Sequence, residues 1–99
     1  MCFNMLDNDF VVENGVLLKY TGKEKVVIIP DSVEIIGKNS FKGSSVEKVI
    51  IPSTVCKIMC GAFENCQSLY CVQVTDKLVS IQIGAFSNCP KLNTVDIIK

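Results

Sequence analysis

Six cysteines carry most of the chemistry this 99-residue chain could perform. Cys56 and Cys60 form a Cys-x-x-x-Cys pair, with Cys66 and Cys71 close behind and Cys2 and Cys89 further off. Thiolates of this kind can hold zinc, close a disulfide, or attack a substrate as an activated nucleophile. The rest of the composition removes what the last of these needs. There is no histidine, so the commonest general base and metal ligand is absent, and lysine is the one basic side chain that could lower a thiol pKa. There is no arginine either, so no guanidinium fork exists to grip a phosphate. Ten lysines against ten acidic residues leave no positive footprint for nucleic acid. The glycines make neither a Gly-x-Gly-x-x-Gly nor a Gly-Lys-Ser/Thr loop. Asp31, Asp76, Asp96, Glu34 and Glu47 fall at loop or outward positions, where no cleft would push paired carboxylates apart in pKa. Catalytic residues, cofactors and metal ligands are therefore all assigned as none, and the chain reads as a non-enzyme.

What positions these residues is a repeat of about 23 residues. One copy reads Val46-Glu-Lys-Val49-Ile-Ile51-Pro52, then Val55, Ile58, Gly61, Ala62, Phe63 and Cys66. The next gives Leu69, Val72, Val74, Leu78, Ile81, Gly84, Ala85, Phe86 and Cys89. Upstream, Val27, Ile29, Pro30, Val33, Ile36 and Phe41 fill the same slots, and Leu92, Val95 and Ile97 begin a further copy. A fixed period in this range is the mark of a solenoid, whose units bury their apolar faces only by stacking. Alternation at period 2 makes each Val-x-Ile or Val-x-Val a strand pointing those residues inward. Proline at 30 and 52 closes the strand, since it cannot donate to a ladder. A second, arced extended stretch follows (Val33 to Ile36, Val55 to Ile58, Leu78 to Ile81), and then Gly-Ala-Phe-x-x-Cys makes a tight or single helical turn. Before the first copy, Phe10–Tyr20 holds two β-prone runs around Asn14-Gly15, a hairpin signal.

The run Ile-Pro-x-x-Val-x-x-Ile-x-x-x-Ala-Phe-x-x-Cys-x-x-Leu-x-x-Val resembles the BspA-like leucine-rich repeat, over about residues 24–98. The resemblance implies a mostly β fold: a right-handed leucine-rich-repeat solenoid with a parallel sheet on its concave side and short helical or 3-10 turns. The N-terminal β-hairpin would serve as a cap. It also implies protein recognition without enzymatic activity, in a family whose members are often secreted or surface-exposed and usually carry more repeats. One domain spans 1–99, divided into a flexible N-terminus (1–9), a hairpin cap (10–23), repeats at 24–45, 46–68 and 69–91, and a partial repeat at 92–99. The N-terminus shows no signal-peptide pattern and no stretch approaches a membrane span, so a cytoplasmic, non-membrane protein is expected.

Placed on this frame, Cys66 and Cys89 share one slot in successive turns and become a column of small buried side chains. Cys56, Cys60, Cys66 and Cys71 fall at different points around the cross-section, too dispersed to converge on zinc. Cys71 is expected on the outward side of its strand, as the most reactive thiol. On the same outward side, Val26, Ile28 and Ile50 make an apolar patch flanked by Lys48, with Cys71 and Gln73 beyond it. These six residues are the candidate partner-binding site, for a protein of unspecified identity. The alternative is a self-associating unit, a homodimer or filament, joined through the uncapped C-terminal end at Leu92, Val95 and Ile97.

Overall fold

The computed structural model describes residues 9–78 and 80–98; apart from residue 9, the N-terminal stretch expected to be flexible lies outside them. In chain order the strands are β1 (Phe10–Glu13), β2 (Val16–Tyr20), β3 (Val26–Ile28), β4 (Ile35–Ile36), β5 (Lys48–Ile50), β6 (Lys57–Ile58), β7 (Cys71–Thr75), β8 (Ser80–Ile81) and β9 (Thr94–Ile98). They form two sheets. One is wholly parallel, in the order β3-β5-β7-β9, and the other runs β1-β2-β4-β6-β8. Each period therefore contributes one strand to each sheet and makes one rung of a solenoid. Val27 registers with Val49, Val49 with Val72 and Val72 with Val95, so every step lands like on like. The first step spans 22 residues and the next two 23, which places the one-residue deletion of the first copy in its turn, outside the ladder.

Proline ends the first two long strands as expected, and its carbonyl starts the next turn. The amides of Val33 and Val55 donate to the carbonyls of Pro30 and Pro52, each at 3.1 Å. The arc after each short strand forms the tight turns that the sequence allowed for. It contains no helix and is a chain of turns, such as Ala62 N–H to Met59 O at 3.2 Å and Glu64 N–H to Gly61 O at 3.1 Å. The cause is a pair of left-handed residues four apart in every copy. Asn39, Gly61 and Gly84 fill the first position with φ of 60, 71 and 84°, and Gly43, Asn65 and Asn88 fill the second with φ of 73, 63 and 60°. Only Gly and Asn adopt that region at low cost, and each left-handed residue ends any right-handed helix before it can propagate. A Cβ at Gly61 would also collide with the side-chain oxygen of Asn39 in the rung before it.

Between the two left-handed residues lies the aromatic slot. Phe41 and Phe63 stack with ring centroids 4.7 Å apart and planes 17° from parallel, and Phe63 and Phe86 at 5.1 Å and 8°. The N-terminal hairpin extends this column. Asn14 and Gly15 take φ of 53 and 79°, the two left-handed positions of a tight primed turn. Strand β2 then pairs parallel with β4, setting Leu17 beside Ile36 and giving the second sheet its first rung. Tyr20 lays its ring on Phe41 at 4.8 Å, and Phe10 follows on Tyr20 at 5.1 Å. The cap is thus half a rung, and Leu17, Val27, Ile36, Val49, Ile58, Phe63, Leu69 and Val72 close the core below it.

Two stability measurements test this frame. Phe63 is fully buried and stacked on both sides, so Phe63→Ala should cost about 3–5 kcal/mol in urea unfolding; a change near zero would show the column is not structural. Ser40 occupies the slot held by Ala62 and Ala85 in later rungs, fully buried, and its hydroxyl has no partner among the described residues. Ser40→Ala should therefore stabilise the fold by about 1 kcal/mol, since an unpaired buried hydroxyl carries a desolvation penalty.

Candidate functional site

Outward-facing positions of the parallel sheet fall into two columns. One runs Val26, Lys48, Cys71 and the other Ile28, Ile50, Gln73, Asp96. The pleat that buries Val27 and Ile29 turns Val26 and Ile28 to solvent, where they are 50 and 58% exposed. Ile50 and Lys48 beside them are half-buried, and Gln73 likewise. The structure therefore gathers Val26, Ile28, Lys48 and Ile50 into one apolar patch with a cation at its side, and leaves Gln73 on its polar border. Lys25 and Glu47 flank the patch as an exposed ion pair at 3.6 Å, and among the described residues Lys48 makes no such pair.

Cys71 is a correction. It lies in the outward column but is only 7% exposed. Its strand is interior, paired with β5 on one side and β9 on the other, and a short thiol in the middle of a sheet is shaded by longer neighbours such as Lys48. Among the described residues the exposed thiol is instead Cys56, just before β6. Cys66 and Cys89 do stack as one column. Each Sγ–H donates to a carbonyl of the rung before it, Cys66 to Phe41 at 3.1 Å and Cys89 to Phe63 at 3.0 Å. Burial, with the neighbouring Cys89 adding to it, pushes the Cys66 thiol up to about 12, and burial also raises Cys89. Cys60 sits half-buried on the following turn. Among the described residues no three Cys, Asp or Glu side chains converge as a metal site would require.

A second apolar surface lies at the C-terminal end. Beyond β8 and β9 there is no further rung among the described residues, and a cleft of about 530 Å³ opens between them, lined by Val74, Leu78, Ile81, Val95 and Ile97. Val95 and Ile97 thus stand where the sequence put them, whereas Leu92 packs against the core and does not line the cleft. Ile83, 97% exposed nearby, was missed by sequence reasoning. The signal was available, since its slot holds Lys38 and Cys60 in earlier copies, which marks an outward position.

The family model of the BspA type leucine-rich repeat region, six copies long, matches residues 17–99. This chain belongs to the BspA-type leucine-rich repeat family. Curated proteins contain no match to its sequence. Among solved structures it is similar to a leucine-rich cell surface protein from Faecalibacterium prausnitzii A2-165, with 23% identity and a TM-score of 0.57 over 90% of this chain. That likeness is one of fold. The chain spans 40% of that protein's length. No helix among the described residues is long and apolar enough to cross a membrane.

The thiol geometry gives a direct test. In a Cys2→Ser background, brief alkylation of the native protein followed by mass spectrometry should modify Cys56 first and leave Cys66 and Cys71 untouched until urea is added. Native labelling of Cys66 at the Cys56 rate would refute the buried thiol column.

Proposed function

We propose that this BspA-type repeat is a non-enzymatic protein-interaction module, and that it engages its partner through the outward face of its first two rungs. The observation that supports this reading is the exposure of Val26 and Ile28 side by side with Ile50, on a sheet whose later strands carry Gln73 and Asp96 in the same column. A contiguous apolar patch that fades into polar neighbours along one sheet is what a contact site looks like, because water gains by its removal. Lys48 adds a direction to the preference. A partner that sets apolar side chains over Val26 and Ile28 and a carboxylate over Lys48 would satisfy both parts of the surface.

Val26→Thr with Ile28→Thr tests the proposal, since threonine keeps the β-branching that suits a strand while removing apolar surface. Immobilised parent and double variant would be exposed to extract from the source organism, with Val11→Thr, a half-exposed site on the opposite sheet, as control. Proteins held by the parent and by the Val11→Thr control but lost from the double variant, with unchanged circular dichroism, are the expected result. Equal retention by parent and double variant would remove the patch as the binding site.

A further inference from the structure

We propose that Cys66 and Cys89 are a dithiol that closes, on exposure to a small-molecule disulfide such as oxidised glutathione, into an internal disulfide joining the arcs of adjacent rungs. This modification goes beyond the binding role and uses no residue of the outward face. The two thiols fill one slot in successive rungs. Each Sγ–H donates to the equivalent carbonyl of the rung before it, Cys66 to Phe41 O at 3.1 Å and Cys89 to Phe63 O at 3.0 Å. Equivalent atoms of the two arcs are therefore one rung apart, like the rings of Phe63 and Phe86 three residues upstream, whose centroids are 5.1 Å apart. A disulfide spans Cα separations of about 4.4–6.8 Å, which includes that step. The two side chains are already within hydrogen-bonding reach of each other.

Turning the two sulfurs toward each other strands no acceptor. Phe41 O keeps the amide of Ser44 at 2.9 Å, and Phe63 O keeps that of Cys66 at 3.4 Å. The main chain around the pair is held in register without the thiols, with Asn65 N–H donating to Ser87 O at 2.9 Å and Asn88 Nδ2 to Asn65 Oδ1 at 2.9 Å. The other thiols are placed differently. Strand β6 runs between Cys56 and Cys60, and Cys71 lies on β7 with Lys48 as its neighbour in the column. Among the described residues no other two cysteines share a slot.

Closure proceeds by thiol–disulfide exchange. One chain thiolate attacks a sulfur of the small disulfide, forming a mixed disulfide and releasing one small thiol. The second chain thiolate attacks the chain sulfur of that mixed disulfide and expels the other. The chain loses two hydrogens, and two electrons pass to the small disulfide, which leaves as two thiols. Exchange needs a thiolate, and burial holds both side chains protonated. The reaction therefore waits on opening of the arcs and runs during folding or in a partly opened chain. Once closed, the bridge removes freedom from the unfolded chain and so stabilises the stack. In surroundings that keep thiols reduced the pair remains packing, and in oxidising ones it becomes a staple.

The test equilibrates the Cys2→Ser chain with oxidised and reduced glutathione at a series of ratios, in urea just below its unfolding midpoint so that the arcs open. Urea is then removed at the same ratio, the exchange is quenched with acid, and the chain is mapped by mass spectrometry. At oxidising ratios the expected product is a chain lighter by two hydrogens, with the peptides carrying Cys66 and Cys89 linked. It should keep the circular dichroism of the reduced chain, and its thermal midpoint should rise by on the order of 10 °C. Cys89→Ser, which copies the Ser44 of the first rung, should fold and show neither the link nor the rise. Four results would each overturn the proposal: Cys66 and Cys89 both free at the most oxidising ratio, both carrying glutathione, a bridge to Cys56, Cys60 or Cys71 in place of theirs, or a bridged chain that has lost the fold or melts no higher than the reduced one.

Discussion

A single rung of this molecule is about one strand thick, too thin to have an inside. Its valines, isoleucines and phenylalanines are shielded only by the same residues of the rungs above and below, so the inter-rung contact is the interaction on which the rest depends. Its spacing is fixed by backbone hydrogen bonds, which hold neighbouring strands about 4.7–4.9 Å apart. The aromatic column runs at 4.7 to 5.1 Å because the rings hang from that ladder. The arcs are tied in the same way, with Phe41 N–H donating to Ala62 O at 2.7 Å and Phe63 N–H to Ala85 O at 2.8 Å. Side-chain stacking and main-chain bonding share one period, which is why any residue in a column has little freedom to change size.

The constraint explains why cysteine, the most reactive residue type here, serves as packing. The slot filled by Cys66 and Cys89 accepts a small side chain that can donate to the carbonyl of the preceding rung. A thiol does this while remaining largely apolar. Burial keeps it protonated, and a protonated thiol is a poor nucleophile and a poor ligand. In the first copy the slot holds Ser44, which instead accepts a bond from Val46 N–H at 3.2 Å, where the copy is one residue shorter.

The same constraint decides where apolar surface is left uncovered. A stack has sides, which can vary freely once the inward columns are kept, and ends, which cannot, because an end rung exposes residues chosen for burial. At the N-terminal end the hairpin supplies Leu17 and Tyr20 to finish two columns. At the C-terminal end no such element stands among the described residues over Ile81, Val95 and Ile97. The apolar side surface at Val26 and Ile28 belongs to the first kind, and the cleft to the second.

Much of this was legible in the sequence because a repeat writes the same packing instruction several times. The inward columns, the strand ends at Pro30 and Pro52, the Asn14-Gly15 hairpin and the stack of Phe41, Phe63 and Phe86 all follow from slots that recur, and recurrence separates packing from accident. Other features needed coordinates. Tyr20 and Phe10 extend the aromatic column from outside the repeat, so no periodicity could assign them. Cys71 looked exposed by alternation, yet its burial depends on which strands lie beside it, a matter of sheet order rather than of its own neighbours in sequence. Sequence periodicity determined which face each residue takes within its rung. Only the tertiary structure decided how deeply that face is covered, because cover comes from residues 22 or 23 positions away and from whether a rung has neighbours on both sides.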